Sequence, residues 1–175
     1  DGYWTIPVSV SETTNLSLKT PSVDGKASDI LDLAKPVADA SGTAYRIVAT
    51  ENTAGTMLGN KTWIAEVKLP EGMMAIGQNA FSGNTGLKKI NMPSTLERIG
   101  TYAFSGCSAL THVTPFLPHS VTNLAGNYLF KGCPVQGALV LSNPALVIGT
   151  SSGEGRYFQE TQIETAELSL TAFTP

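Results

Sequence analysis

The sequence predicts a repeat solenoid that is mostly β, with short helical or irregular turns between its strands. A pattern of apolar residues, proline and glycine recurs about every 23 residues in the middle of the chain, a period typical of stacked repeats. Each repeat holds an alternating apolar segment of the kind that forms a strand with one buried face. A unit this short cannot bury its own apolar side, so neighbouring units must stack on one another.

The repeat is clearest over residues 84–106, which we number unit 2. Its apolar positions recur in the preceding unit 1 (61–83) and in the slightly longer unit 3 (107–132). A looser and still longer unit 4 (133–160) follows, in which Phe158 stands at the position of Phe130. The pattern extends towards Met57 and Leu170, which gives four to five units, the last of them incomplete. The most regular positions are Val67, Ile76 and Phe81, then Ile90, Ile99 and Phe104, then Val113, Leu124 and Phe130.

Three pieces are predicted within each unit. In unit 2, Ile90 and Met92 alternate as in a strand, and Pro93 ends that strand because it has no N–H to donate. Leu96–Gly100 is a second buried segment that turns at its glycine. The Ala103-Phe104 pair supplies a small and a large core residue from a short helical turn. The greater lengths of units 3 and 4 place insertions around Thr114–Leu117 and Thr150–Gly155.

The first fifty residues do not follow the repeat. A short helix is predicted at Ala27–Leu33. Strands are predicted at Tyr3–Val10, Leu16–Lys19 and Tyr45–Ala49. All five aspartates of the chain lie in this region. The shift in composition indicates that residues 1–50 form a β-rich N-terminal cap or degenerate first repeats, since solenoids need atypical end units. A separate β-rich module is the alternative, and residues 51–175 hold the repeats.

Composition excludes several classes of partner. The net charge is -3 and charged residues make up 14% of the chain, with no basic stripe, so no nucleic-acid partner is expected. No apolar run approaches the roughly 20 residues of a membrane-spanning helix. The repeats carry no dense carboxylate cluster for calcium. A zinc site from Cys107, His112, His119 and Cys133 is conceivable, but the spacing matches no zinc pattern. We therefore expect no metal and no cofactor.

No catalytic site is expected either. Gly149–Gly153 matches the G-x-S-x-G motif of hydrolases, which requires a strand–turn–helix setting and a histidine later in the chain. The last histidine is His119, before the motif, and the segment fills a repeat insertion. The sequence therefore predicts a loop there and a protein that is not an enzyme.

Asn84, Cys107 and Cys133 occupy the same position in successive units. In one interpretation they form a ladder whose side chains bind backbone groups at a turn. In the other, Cys107 and Cys133 form a disulfide, because neighbouring strands lie about 4.8 Å apart and cystine Cα atoms lie about 4.4–6.8 Å apart.

The outward side of the first strands is the candidate binding surface, because solenoids bind partners over extended faces. Alternation directs polar side chains outward there, and Ala138, Val140, Glu167 and Ser169 continue the pattern. Phe116 and Tyr157, in the insertions, are anchors if they are exposed and core residues if they pack beneath their own loops. The candidate binding residues are Glu66, Lys68, Lys89, Asn91, His112, Thr114, Phe116 and Tyr157.

The unit reads Asn/Cys-x-x-Leu-x-x-Ile-x-Leu/Met-Pro-x-x-Leu-x-x-Ile-Gly-x-x-Ala-Phe-x-Gly, and over roughly residues 57–170 it resembles the BspA-like (treponemal-type) leucine-rich repeats. The resemblance implies a right-handed leucine-rich-repeat superhelix and a bacterial protein that is secreted or on the cell surface. It also implies adhesion to host extracellular-matrix proteins, to cells or to other bacteria. We expect a monomer that binds a protein of the host matrix or cell surface, or a glycan. A spacer segment without a ligand of its own is the alternative. The strand at Leu168–Leu170 leaves the stack open, so a fragment or a short family member is expected.

Overall fold

A computed structural model describes residues 8–12, 15–18, 30–35, 37–38, 41–50, 58–124, 128–141, 143–148 and 157–168. These residues form fourteen β-strands and no helix. The strands are β1 (Val8–Glu12), β2 (Asn15–Leu18), β3 (Ile30–Asp32), β4 (Val37–Ala38), β5 (Ala44–Thr50), β6 (Glu66–Lys68), β7 (Ala75–Ile76), β8 (Lys89–Asn91), β9 (Arg98–Ile99), β10 (His112–Thr114), β11 (Asn123–Leu124), β12 (Gln136–Leu141), β13 (Val147–Ile148) and β14 (Gln162–Leu168).

The first strands of successive units form a parallel sheet. Within the described residues it has four strands in the order β3, β6, β8 and β10. Leu31 pairs with Val67, Val67 with Ile90, and Ile90 with Val113. These four central side chains are buried, because alternation in a strand sends every second side chain to the same face. The predicted alignment of the units is confirmed.

A second sheet carries the second buried segment of each unit. Its described strands run in the order β1, β2, β5, β7, β9, β11 and β13, with β4 paired to β5. The strands from β5 to β13 are parallel, and Ile76 pairs with Ile99, which is also the register partner of Leu124. The units approach closely here: a Cβ on Gly100 would lie 2.6 Å from the backbone nitrogen of Gln78 in the preceding unit. Only glycine permits this approach.

The turn that carries the Ala-Phe pair forms a third ladder of hydrogen bonds between units. The backbone N–H of Phe81 donates to the Ala103 carbonyl at 2.8 Å, and that of Phe104 donates to the Leu129 carbonyl at 3.0 Å. The described residues form consecutive turns here and no helix, with hydrogen bonds between residues three apart, such as Ala103 N to Gly100 O at 3.3 Å and Ser105 N to Tyr102 O at 3.1 Å. The N–H groups of Phe81 and Phe104 donate instead to carbonyls of the next unit, so bonds within the turn alternate with bonds between units and no regular helix forms.

The phenylalanines of these turns stack along the axis. The ring centroids of Phe81 and Phe104 lie 5.5 Å apart, those of Phe104 and Phe130 lie 5.1 Å apart, and those of Phe130 and Phe158 lie 6.1 Å apart, with planes within 16° of parallel. They belong to one buried cluster that runs from Leu31 to Tyr157. The structure is therefore a β-solenoid with one continuous core, as the repeat predicts.

Strands of the N-terminal region extend both sheets. The strands predicted near Leu16 and Tyr45 are confirmed as β2 and β5, whereas most of Tyr3–Val10 lies outside the described residues. The helix predicted at Ala27–Leu33 is wrong, since Ile30–Asp32 forms β3. Pairing with β6 and burial of Leu31 and Leu33 outweigh the weak local helix pattern. The boundary at residue 50 stays a prediction.

The insertion after β10 divides the first sheet. The segment Pro115–Leu117 follows β10, and β12 pairs with β14 in a separate parallel sheet. One backbone hydrogen bond, from Gln136 N to Thr111 O at 3.3 Å, joins unit 4 to unit 3 just before these strands. Because β14 lies beside β12 as the first strand of a fifth unit, the stack continues to the last described residue. The insertion predicted at Thr150–Gly155 lies outside the described residues.

Candidate binding surface

We use the name strand face for the outward side of β6, β8 and β10. The inward residues Val67, Ile90 and Val113 are buried, which turns their neighbours outward. The strand face consists of Glu66, Lys68, Lys89, Asn91, His112 and Thr114. Four of these side chains are exposed, and Glu66 and Asn91 are half-buried. The structure therefore brings six of the eight predicted site residues together on three adjacent strands.

The charges of the strand face alternate in sign. Glu66 pairs in register with Lys89, and His112 follows Lys89 in the same row. The Lys89 Nζ lies 3.6 Å from a carboxylate oxygen of Glu66. Lys68 pairs in register with Asp32 on β3. An exposed ion pair stabilises a fold by only about 0–1 kcal/mol, so these side chains remain available to a partner at little loss of stability.

Asn91 joins two units of the stack. Its Oδ1 accepts a hydrogen bond from Leu69 N at 2.7 Å, and its Nδ2 donates to Leu69 O at 2.9 Å. The amide thereby satisfies both backbone groups of Leu69 after β6 has ended. Asn91 lies on the strand face as predicted, but its polar atoms are used within the fold. His112 differs, because its exposed ring contacts only the Thr111 hydroxyl, at 2.7 Å, among the hydrogen-bond partners within the described residues.

Phe116 and Tyr157 are core residues. They are 7% and 6% exposed, so the prediction that they are exposed anchors is wrong and the packing alternative is confirmed. The Phe116 ring lies 5.3 Å from that of Phe130 and 5.8 Å from that of Phe158, so the insertion folds its aromatic ring onto the phenylalanine stack. Tyr157 occupies the position of Ala103 in unit 2, and burial raises the pKa of its phenol.

The shared position of Asn84, Cys107 and Cys133 is a ladder of side chains bonded to backbone carbonyls. Asn84 Nδ2 donates to Leu58 O at 2.7 Å. The Cys107 thiol donates to Phe81 O at 3.1 Å, and the Cys133 thiol donates to Phe104 O at 2.9 Å. Both cysteines are free and buried, so the ladder interpretation is confirmed and the disulfide interpretation is wrong.

The two thiols should be unreactive in the folded protein. A hydrogen bond with Cys133 and burial raise the pKa of the Cys107 thiol well above its usual value, and the thiolate is the reactive form. At pH 8, a colorimetric thiol reagent should therefore react with neither cysteine of the native chain. It should titrate two thiols per chain in guanidinium chloride. Finding no thiol after denaturation under non-reducing conditions would contradict the ladder.

The conceivable zinc site is not assembled. Cys107 and Cys133 lie in the core with their thiols directed at carbonyls, whereas His112 lies on the strand face. Within the part of the chain that the structure describes, no three His, Cys, Asp or Glu side chains form a group that could hold a metal ion. The G-x-S-x-G motif at Gly149–Gly153 lies outside the described residues.

The structure has two surface features that were not predicted from the sequence. Tyr102 and Tyr128 stack on the outside of the turns, with ring centroids 5.2 Å apart. The outer side of the second sheet carries a groove of about 320 Å³ with Ala75, Gly77 and Arg98 in its lining. The repeat could have revealed the tyrosines, because each directly precedes the small or apolar residue of its unit's Ala-Phe pair.

Parallel ladders of strands from successive units around a single core define the class of repeat solenoids. The chain belongs to the BspA-type leucine-rich-repeat family, whose model matches six copies over residues 57–172. None of the curated proteins matches the chain. Within the described residues there is no helix with the length and apolar character of a membrane span.

Several solved structures share the fold. A leucine-rich repeat protein from Bacteroides ovatus has a TM-score of 0.69 and 21% identity, over 95% of this chain and 40% of its own. A leucine-rich repeat protein from T. pallidum has a TM-score of 0.64 and 22% identity, over 82% and 60%. A leucine-rich cell surface protein from Faecalibacterium prausnitzii has a TM-score of 0.51 and 19% identity, over 94% and 53%. The chain thus spans about half the length of these relatives.

Proposed function

We propose that the chain is a non-enzymatic binding module that attaches to a protein of a host matrix or cell through its strand face. The observation that carries the proposal is the alignment of polar side chains from three successive units on one side of a parallel sheet. These side chains stand on backbone that is fixed in register by the sheet. A preformed surface loses little conformational entropy when it binds, which favours affinity.

The mixed charges of the strand face suit a protein partner better than a uniformly charged polymer. Lys68 and Lys89 alternate with Asp32 and Glu66, so a partner must present opposite charges in a matching order. Electrostatic complementarity of this kind accelerates association and rejects wrong partners. We expect the strand face to determine specificity in this way.

The insertion in unit 3 adds a recess beside the strand face. Where the first sheet divides, a groove of about 350 Å³ lies between the edges of β10 and β12, and Thr114, Gln136 and Val140 are among its lining residues. Val140 is 40% exposed there. An apolar side chain of the partner would bury surface in this groove, where Phe116 itself is turned into the core.

A location on the cell surface or outside the cell agrees with this proposal. One of the solved structures with this fold is described as a leucine-rich cell surface protein from Faecalibacterium prausnitzii. A module in that location meets host proteins directly, and repeats beyond those of this chain would extend the same face.

Charge reversal on the strand face tests the proposal. The double variant Lys68→Glu, Lys89→Glu should lower the association rate with a bound extracellular-matrix protein by about tenfold, measured by surface plasmon resonance over a panel of purified matrix proteins. The matched control is Arg46→Glu, Arg98→Glu, which reverses two exposed charges on the second sheet instead. It should bind like the unmodified chain, and thermal unfolding should show that both variants fold.

Equal binding by the two double variants would refute the strand-face assignment. If the unmodified chain binds no protein of the panel and no host cells, the spacer alternative is favoured instead.

A further inference from the structure

An exposed and a half-buried tyrosine form an aromatic stack on the turns that follow the second sheet. The rings of Tyr102 and Tyr128 lie 5.2 Å apart at an angle of 11°, and Tyr102 is 36% exposed. The Lys131 ammonium lies over the Tyr128 ring, 4.8 Å from its centre. One end of the stack is therefore covered by a cation. The stack lies on other elements than those of the strand face, so it is a separate surface.

The backbone does not favour tyrosine at these two positions. Tyr102 and Tyr128 have φ angles of 57° and 60°, in the left-handed region that bulky residues rarely adopt. Unit 1 has Asn79 at the same position with a φ of 56°, and asparagine tolerates this conformation well. Strained residues cluster at functional sites. Because the tyrosine rings lie outside the buried core, the packing of the core does not account for them either.

The outer part of the Tyr102 ring is exposed, because the side chain at the same position in unit 1 is too short to cover it. Tyr128 covers the face towards unit 3, whereas on the side of unit 1 the same position holds the shorter Asn79. Within the described part of the chain, neither the Asn79 amide nor the Tyr102 hydroxyl makes a side-chain hydrogen bond. A flat apolar ring thus lies beside an amide that both donates and accepts hydrogen bonds.

The size and charge of this surface select a small neutral ligand. One aromatic side chain buries about 150–250 Å² at most, far below the about 800 Å² per partner of a standard protein interface. The half-buried neighbours of Tyr102 in units 1 and 2 are polar and uncharged, namely Gln78, Asn79, Thr101 and Ser105. The charged group of the stack, Lys131, lies over the other ring, that of Tyr128. A sugar ring has an apolar C–H face and hydroxyl groups at its edge, which match an aromatic ring with an amide beside it.

We propose that Tyr102 and Asn79 form a subsite for one pyranose residue of a neutral glycan. The C–H face of the sugar stacks on the exposed part of the Tyr102 ring, and its hydroxyl groups exchange hydrogen bonds with the Asn79 amide. Tyr128, held beneath Lys131, supports the Tyr102 ring from the other side and fixes its orientation. This proposal goes beyond the protein-binding role of the strand face.

The test uses an array of immobilised oligosaccharides that end in glucose, galactose, mannose, N-acetylglucosamine or N-acetylgalactosamine, together with sialylated versions. Tyr102→Asn installs the residue that unit 1 uses at this position, so the backbone is accommodated. We expect it to lower binding to the best neutral glycan at least tenfold, whereas Tyr102→Phe keeps the ring and stays within about threefold. Saturation-transfer NMR with the methyl glycoside should show the strongest transfer to protons of one sugar face.

Absence of binding to every neutral glycan, or equal binding by Tyr102→Asn and the unmodified chain, would overturn the proposal. Binding confined to the sialylated oligosaccharides would also overturn it. So would a Tyr102→Asn variant that loses binding to a protein while the unmodified chain binds no glycan. The variant Lys68→Glu, Lys89→Glu should bind the glycan normally, which separates failure of this subsite from failure of the strand face.

Discussion

Replacing Phe104 by alanine is expected to lower the free energy of unfolding by about 3–5 kcal/mol, the range for truncating a buried aromatic residue. The Phe104 side chain is fully buried, and its ring stacks between those of Phe81 and Phe130 at 5.5 and 5.1 Å. The substitution therefore removes packing from both unit interfaces at once. In a stacked array the stability is the sum of unit and interface terms, so both losses count.

Urea denaturation followed by circular dichroism measures this loss. Two control variants give a scale for this loss. Phe104→Leu keeps most of the apolar volume, so its free energy of unfolding should fall less. Tyr102→Asn removes an exposed ring, so its free energy of unfolding should fall by under about 1 kcal/mol. If Phe104→Ala loses no more than Tyr102→Asn, the phenylalanines do not share one core.

The fold of the central units could be predicted because the same sequence pattern recurs in each unit. Ile90 and Pro93 define where a strand lies and where it ends, and the matching Val67 and Val113 then determine its neighbours and its register. The strand face followed from the same alternation, since a buried Ile90 turns Lys89 and Asn91 outward. Agreement among several units removes the ambiguity that a single short apolar segment always has.

Outside the regular units, local sequence was a poorer guide. Ile30–Asp32 forms a strand because β6 lies beside it, and that pairing is invisible in the helix-like spacing of Ala27–Leu33. Phe116 lies in an insertion, where composition does not reveal whether the chain folds back onto the core. Its burial comes from packing against Phe130, whose ring centroid lies 5.3 Å away, a contact between residues 14 positions apart that no local pattern indicates.

The two interpretations of Cys107 and Cys133 show a second reason why the sequence alone did not determine the local structure. The spacing of the units satisfies both a disulfide and a carbonyl-bonded ladder, so no sequence pattern separates them. The direction of the thiols decides between them, because Cys107 points to the carbonyl of Phe81, 26 residues earlier, and Cys133 points to that of Phe104, 29 residues earlier. Asn84, at the same position, also donates to a carbonyl 26 residues earlier, that of Leu58, so this position requires a donor directed at a backbone carbonyl of the neighbouring turn.

Asn84→Ala is therefore expected to destabilise the fold by about 2–4 kcal/mol, since orphaning the buried Leu58 carbonyl costs about 1–3 kcal/mol and the half-buried Lys61 N–H adds up to about 1 kcal/mol. The fully buried amide accepts a hydrogen bond from Lys61 N at 2.6 Å and donates one to Leu58 O at 2.7 Å. Both backbone groups, one at the first residue of unit 1 and one just before it, lose their side-chain partner in the alanine variant.

The variant Asn84→Cys is the matched comparison, because units 3 and 4 begin with cysteine at this position. Its thiol can donate to Leu58 O, as Cys107 donates to Phe81 O, but it leaves the Lys61 N–H without its strong acceptor. Stability in urea should therefore decrease in the order asparagine, cysteine, alanine. Equal stability of the cysteine and alanine variants would show that the thiol-to-carbonyl bonds contribute nothing, and that Cys107 and Cys133 are retained for their volume alone.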